Sequence, residues 1–155
     1  MNIDCKPLGI FSWSFELSDG QHRANLKLNH FSENGSLVMN GTEYEILKQG
    51  MFSGRWLLMH QEQLLYQAHK PSAFSRKFEL SGDTQATLKP AGLGRRRTLR
   101  GPNVDLTISP HHPFTRRTTI HGQSDDFLQA SFAFWLTILT WKRQRNSSNN
   151  SSANH

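Results

Sequence analysis

An unbroken apolar segment near the end of the chain restricts the possible folds more than any other feature. It runs from Phe127 to Trp141, follows two aspartates and leads into a basic stretch that begins at Lys142. Acidic residues before a helix and basic residues after it complement the helix dipole. Ser124 is a suitable N-cap, because its hydroxyl can accept a hydrogen bond from an amide of the first turn. The sequence therefore predicts a helix at about 125–143.

Three surroundings can accommodate a helix that is apolar on almost every side. Residues 127–141 would extend over about 22 Å, which is short of the roughly 30 Å hydrocarbon core of a bilayer. Trp135, Trp141 and the basic flank would suit a short interfacial membrane anchor, whereas a cap on a sheet would need a polar stripe that is weak here. The third alternative is a helix threaded through a barrel of strands. We favour it, because a large barrel has a lumen that must be filled.

The rest of the chain is typical of short antiparallel strands. In the stretch from Phe11 to Leu17, apolar and polar residues alternate with the period of a half-buried strand, and Asp19-Gly20 follows as a hairpin turn. The stretch from Phe74 to Leu80 alternates in the same way through Phe78. About ten to twelve such strands, without a β-α-β alternation or a recurring motif, indicate an antiparallel sandwich or barrel. We expect an antiparallel β-barrel of about 10–12 strands wrapped around the buried helix.

Four predicted strands in the middle of the chain carry apolar patterns in an order that is known from another group of proteins. They are Arg55-Trp-Leu-Leu58, Leu64-Leu-Tyr-Gln-Ala-His-Lys70, Phe74-Ser-Arg-Lys-Phe-Glu-Leu80 and Ala86-Thr-Leu88. This order resembles the tubby-like barrel superfamily of tubby C-terminal domains, phospholipid scramblases and LURP-one-related proteins, in which a Trp-bearing strand precedes an L-x-x-A-x-K strand and an F-x-L strand. The resemblance covers residues 10–145 and implies a closed barrel around a central C-terminal helix. Some members bind phosphoinositide headgroups, but a fold alone does not determine a function.

The chain is expected to form one domain, since 155 residues are enough to bury a core. Residues 1–9 are predicted to be a loose lead-in, and residues 10–145 the barrel domain. Residues 146–155 are mostly Asn and Ser and are predicted to be a disordered polar tail. The first residues lack the basic and apolar regions of a secretory signal. We therefore expect a cytoplasmic protein, whether or not it is peripheral to a membrane.

Residues with catalytic or metal-binding chemistry are scattered along the chain. His111 and His112 lie between two prolines, but no Asp, Glu or Cys lies near them in sequence to complete a metal site. Cys5 has no recognisable base to activate it as a nucleophile. Ser53 lacks the spacing of a nucleophile elbow, and the sequence contains no phosphate-binding loop motif. We expect a non-enzymatic protein with no catalytic residue, no metal and no cofactor.

Positive charge is the strongest functional signal in the sequence. The formal net charge is +6, and one glycine-flanked run contains Arg95, Arg96, Arg97 and Arg100. Guanidinium groups bind phosphate oxygens with paired N–H donors, so these four arginines are the candidate site for an anion or a lipid headgroup. An anionic membrane surface is the first expected partner, with about 1 kcal/mol gained per Lys or Arg close to it.

Other interpretations of the basic run stay open at this point. The nucleic-acid backbone is a less favoured partner, because the resemblance favours lipid, and base reading is not expected since the run carries no aromatic residue on which bases could stack. Two alternatives remain. The protein could be an interaction scaffold with a short C-terminal membrane anchor, or the arginines could form a solvated cluster without any ligand. The sequence does not indicate an oligomeric state.

Overall fold

A computed structural model describes residues 1–153, and the side chains of residues 1–151. Within this range the chain forms twelve strands and one helix, and the strands make a single closed antiparallel barrel. The elements are β1 (Asn2–Pro7), β2 (Ser14–Ser18), β3 (Arg23–Leu28), β4 (Gly35–Met39), β5 (Thr42–Lys48), β6 (Arg55–His60), β7 (Gln63–His69), β8 (Phe78–Ser81), β9 (Ala86–Pro90), β10 (Arg97–Gly101), β11 (Val104–Pro110), β12 (Thr118–Gln123) and α1 (Phe127–Ala153). The predicted barrel with a C-terminal helix is confirmed, and the architecture is consistent with the tubby-like barrel.

The first residues of the chain complete the wall of the barrel. The prediction of a loose lead-in at 1–9 is wrong for residues 2–7, because β1 lies between β12 and β2. Ile3 pairs with Ile120, and Cys5 pairs with Leu17. Ile3 and Cys5 are buried, whereas the residues between and beside them are exposed. Two buried side chains in a short polar stretch are too weak an alternation to indicate a strand from the sequence.

The alternation of the other strands directs one face of each into the lumen. β3 is the clearest case, since Ala24, Leu26 and Leu28 are buried and the residues between them are exposed. Successive side chains of a strand point to opposite faces, so this period of two separates the core from the outer wall. The inner faces of the strands and the helix together form one hydrophobic core.

Helix α1 fills the lumen of the barrel. Every side chain from Ala130 to Leu139 is at most 1% exposed. Phe134 packs edge-to-face against Phe15 of β2, with 5.0 Å between the ring centroids. Trp135 donates a hydrogen bond from Nε1 to the carbonyl oxygen of Lys27, at 3.1 Å. The apolar segment is therefore a core plug, and no helix within residues 1–153 has the length and hydropathy that crossing a membrane requires.

The helix begins slightly later than predicted. Asp126 is the N-cap, because its Oδ1 accepts a hydrogen bond from the backbone N–H of Gln129 at 2.8 Å. The hydroxyl of Ser124, which the sequence suggested for this role, instead accepts a hydrogen bond from the N–H of Asp126 at 3.0 Å. A serine and an aspartate can both cap a helix, so the spacing alone does not decide between them.

The helix also continues much further than predicted. The prediction of a disordered tail at 146–155 is wrong as far as residue 153, and residues 154–155 lie outside the described residues. The hydroxyls of Ser148 and Ser151 donate hydrogen bonds to carbonyl oxygens four residues earlier. A helix that is already nucleated inside the barrel gains one hydrogen bond for each residue added. The polar extension therefore continues a helix that is nucleated elsewhere.

Candidate functional site

The two ends of the barrel differ in the connections that they carry. In an antiparallel barrel of consecutive strands, connections alternate between the two ends. The entry end, where α1 begins, carries the short turns at 19–22, 40–41, 61–62, 82–85, 102–103 and 124–126. The exit end, where α1 leaves the barrel, carries the longer loops at 8–13, 29–34, 49–54, 70–77, 91–96 and 111–117. Twelve strands at the usual spacing and tilt make a ring about 24 Å across, so the six exit loops share one face.

Each of the six exit loops exposes at least one large apolar side chain. The most exposed of them form a set in which every side chain is at least 74% exposed. We call this set the apolar crown, and it comprises Ile10, Phe11, Phe31, Met51, Phe52, Phe74, Leu93 and Phe114. Among residues 1–151, no exposed large apolar side chain lies in the turns of the entry end. Single exposed apolar residues are ordinary on protein surfaces, but a set confined to one end indicates a contact surface.

A recurring pair of residues shapes five of the exit loops. A phenylalanine of the crown is followed directly by a serine or threonine at Phe11-Ser12, Phe31-Ser32, Phe52-Ser53, Phe74-Ser75 and Phe114-Thr115. In four of these loops the hydroxyl accepts a hydrogen bond from the N–H two residues later, at 3.1–3.4 Å. Such a bond closes a local turn and fixes the backbone around the ring. The exposed phenylalanines therefore stand on structured turns.

Charge is divided between the two ends in the same way as the apolar residues. The exit loops contain seven Lys or Arg residues and a single acidic residue, Glu33. The entry turns contain five Asp or Glu residues and no Lys or Arg. Lys142, Arg143 and Arg145 of α1 add further positive charge at the exit end. The apolar crown is thus surrounded by basic side chains, and the molecule has a strong charge asymmetry along the barrel axis.

The structure separates the four arginines that the sequence singled out. Arg96 is exposed at the exit end, and Arg100 lies on the outer wall near the entry end, where its Nε is 3.4 Å from Oδ1 of Asp105. Arg97 is 4% exposed and donates a hydrogen bond to the carbonyl oxygen of Arg76 at 3.0 Å. Burial lowers the pKa of Arg97 to about 10, with a smaller contribution from the charge of Arg76. Arg97 and Arg100 are three residues apart on β10 and therefore point to opposite faces, whereas Arg95 and Arg96 belong to the loop before the strand.

Arg95 and two other basic residues hold the exit loops in place. Arg95 donates hydrogen bonds to three carbonyl oxygens of the loop at 111–117 and lies 4.9 Å from the ring centroid of Trp141. Arg116 bonds to carbonyl oxygens of the loop at 8–13 in the same way. Lys142 donates to the carbonyl oxygens of Asn29 and His30, at 2.6 and 2.8 Å. These cations support the backbone beneath the apolar crown, because each one bonds to two or more loop carbonyl oxygens.

The apolar crown was not predicted from the sequence, although a signal for it was present. Alternation places Phe11 and Phe74 on the buried faces of strands, whereas the structure places both on loop tips. The recurring Phe-Ser/Thr pair is a signal for these positions, because Ser and Thr hydroxyls can close a turn with the backbone two residues later. The expectation that no motif recurs along the chain is therefore wrong for these loops.

Residues with other chemistry lie apart from one another. His111 bonds to the hydroxyl of Thr119, and Nδ1 of His112 accepts the N–H of Phe114. Cys5 is buried, and burial raises the pKa of its thiol well above the usual value. Among the described residues, no three His, Cys, Asp or Glu side chains are grouped to hold a metal ion. A scan against protein-family models and searches of curated proteins and of solved structures found no match to this chain.

Proposed function

We propose that this protein is a non-enzymatic module that docks with its exit end on anionic phospholipid membranes, and that it belongs to the tubby-like barrel superfamily. The observation that carries the proposal is the apolar crown, which coincides with the basic end of the barrel. The superfamily is supported by the order of the core strands and by the closed barrel around a helix.

The apolar and basic side chains of the exit end are suited to the acyl-chain boundary and to the anionic headgroups of a membrane surface, respectively. Apolar tips gain free energy by entering the boundary between headgroups and acyl chains, at about 1.5–3 kcal/mol for each fully buried Phe, Leu, Ile or Met side chain. Basic side chains around them gain about 1 kcal/mol each near an anionic surface. Hydrogen bonds already fix the backbone of four of these loops, so in them the ordering cost of binding falls mainly on the side chains.

Single-stranded nucleic acid is the second candidate, because exposed phenylalanines beside basic residues can stack on bases. Three members of the crown, Ile10, Met51 and Leu93, have no aromatic ring and offer nothing to a base. The tips also stand around the end of a barrel instead of along a groove that a strand could follow. These two features favour the membrane.

Vesicle sedimentation tests the apolar part of the proposal. Phe52→Ser and Phe74→Ser should each weaken partitioning onto vesicles of anionic phospholipid by about tenfold, which corresponds to roughly half of a fully buried side chain. Leu64→Ser is the matched control, since Leu64 is 49% exposed but lies on β7 outside the crown. Equal binding by the crown variants and the parent would refute the proposal.

A pair of charge reversals tests the orientation. Arg96→Glu should weaken binding to anionic vesicles, and added salt should reduce the difference from the parent protein. Arg100→Glu, the same change near the other end of the barrel, should have little effect. If both reversals weaken binding equally, the protein does not dock by its exit end. Retention on a single-stranded oligonucleotide together with indifference to vesicles would favour the second candidate.

A further inference from the structure

A cavity of about 310 Å³ opens at the exit end between two of the loops that carry the apolar crown. Its walls are the loops at 49–54 and 70–77, and its inner surface includes Lys48, Trp56 and Arg143. The backbone N–H of Lys70 donates to the carbonyl oxygen of Gly54 at 2.8 Å, so the two loops are fixed to each other. The cavity has the volume of roughly ten waters and can hold a phosphate group that keeps part of its hydration.

Positive charge in this cavity exceeds the negative charge that accompanies it. Lys48 and Arg143 share one carboxylate, since Nζ of Lys48 is 2.8 Å and Nη2 of Arg143 is 2.6 Å from Oε1 of Glu33. Burial alone would raise the pKa of Glu33, but the hydrogen bonds from Arg143 and Lys48 outweigh burial and lower it to about 2. Glu33 is therefore ionised at neutral pH and neutralises one of these two cations.

Lys70 is the cation of this cavity that has no carboxylate beside it. Its ammonium donates to the carbonyl oxygen of Ala73 at 3.3 Å, and no ion pair joins it to an acidic residue among the described residues. Burial lowers the pKa of Lys70, and the charges of Arg143, Arg97 and Lys48 lower it further, while Glu33 opposes them. An anion bound in the cavity would relieve this repulsion.

Trp56 lies against the same cations and provides a reporter of the cavity. Its side chain is fully buried and lines the cavity, with Lys48 Nζ 5.4 Å and Arg143 Cζ 5.3 Å from its ring centroid. The indole Nε1–H has no hydrogen-bond acceptor among the described residues. This N–H is itself shielded, so its signal can respond to a group bound in the adjacent cavity without donating to that group.

We propose that this cavity binds a phosphate monoester group, with Lys70, Lys48 and Arg143 as the cations that hold its oxygens. Three cations against one carboxylate leave two positive charges, which a phosphate monoester dianion neutralises and a diester does not. Because the cavity lies between the loops that carry Phe52 and Phe74, the phosphate of a lipid headgroup would reach it when the crown rests on a membrane. That lipid source rests on the proposed function, whereas binding of free phosphate does not.

Titration with inorganic phosphate tests the cavity in the absence of any membrane. In ¹H–¹⁵N spectra the indole Nε1–H signal of Trp56, assigned with Trp56→Phe, should shift on addition of phosphate and not on addition of chloride at equal ionic strength. Lys70→Gln should weaken phosphate binding at least tenfold, and Lys89→Gln, an exposed lysine on the outer wall, should leave it unchanged. Circular dichroism should be used to check that both variants are folded. A parent protein whose Trp56 signal ignores phosphate would overturn the proposal.

Vesicles distinguish the two sources of the phosphate. The parent protein should prefer vesicles with phosphatidic acid, a monoester, over phosphatidylglycerol vesicles of equal surface charge, and Lys70→Gln should lose this preference while keeping its binding to phosphatidylglycerol. Phosphate binding without a preference between the two vesicles would support the cavity with a soluble ligand. Phosphate binding by a protein that ignores both vesicles would refute membrane docking and leave the cavity standing. Vesicle binding without any response to phosphate would refute the cavity alone.

Discussion

Replacing Gly35 with alanine tests how closely the barrel wall and helix α1 fit each other. Gly35 is the first residue of β4, and its backbone faces the indole of Trp135. A Cβ at this position would lie 2.9 Å from Cε2 of Trp135, and closer still to Nε1 and to the carbonyl oxygen of Lys27. Contacts below 3 Å cannot be tolerated, so the indole or the strand must move.

The cost of this methyl group follows from what must be displaced. Trp135 is fully buried and donates from Nε1 to the carbonyl oxygen of Lys27 at 3.1 Å. Displacing the indole leaves a buried donor unpaired, at about 1–3 kcal/mol, and overpacks the core, at about another 1–3 kcal/mol. Gly35→Ala should therefore lower the free energy of unfolding by about 2–6 kcal/mol. For a domain of this length the melting temperature should fall by roughly 5–20 °C.

Chemical denaturation followed by circular dichroism measures this change. Gly92→Ala is the control, because Gly92 has a φ of +69° but no atom lies within 4 Å of the position that a Cβ would take. This control should lose only about 1–2 kcal/mol, through backbone strain. In a Trp135→Leu background, Gly35→Ala should cost at least about 1 kcal/mol less than in the parent. Strictly additive effects, or a smaller loss for Gly35→Ala than for Gly92→Ala, would refute this explanation.

Three further predictions concern the core, the exit end and the helix start. Phe134→Asp should unfold the domain, since an unpaired buried charge and a lost aromatic ring together cost about 6–10 kcal/mol. The control Phe74→Asp should leave the melting temperature nearly unchanged. A Phe134→Asp protein that stays folded would contradict the placement of the helix in the core. Because the folded pKa of Glu33 is about 2 and the usual value is 4.5, its contribution of about 2–3 kcal/mol is complete above pH 4.5 and is lost as the pH falls towards 2. The difference in stability between the parent and Glu33→Gln should shrink over that range in denaturant titrations, and a constant difference would be inconsistent with the ion pairs. Asp126→Ala should lower the free energy of unfolding by about 1–3 kcal/mol in urea denaturation, because it removes both the N-cap and the acceptor of the Tyr66 hydroxyl; no loss would rule out the capping role.

The barrel and its plug could be predicted because both depend on patterns that extend over many residues. A segment as apolar as Phe127 to Trp141 is expected to fill the lumen of a barrel, and its burial agrees with that expectation. Features decided by a few atoms were less accessible. The choice of Asp126 over Ser124 as N-cap depends on local backbone geometry. The continuation of α1 beyond residue 145 depends on a helix that is nucleated earlier in the chain, inside the barrel.

The candidate site was harder to predict than the fold, for a related reason. Alternation shows that a residue could face inwards, but it does not show where a strand ends. Phe74 continues the pattern of Phe78 and Leu80, yet β8 begins only at Phe78. A run of arginines likewise shows a concentration of charge without its direction, and β10 buries Arg97 while it leaves Arg100 exposed. Surface sites depend on such directions, which a linear pattern does not contain.

The position of β1 between β12 and β2 has a consequence for how the chain folds. Neighbouring strands can form hairpins within microseconds, but the last seam joins Ile3 to Ile120 and requires closure of nearly the whole chain. Contacts of such long sequence separation are associated with slow folding. The same seam leaves no strand edge free for pairing with another molecule once it has closed. The ring should therefore form slowly, and its completed form should resist both unfolding and edge-to-edge aggregation.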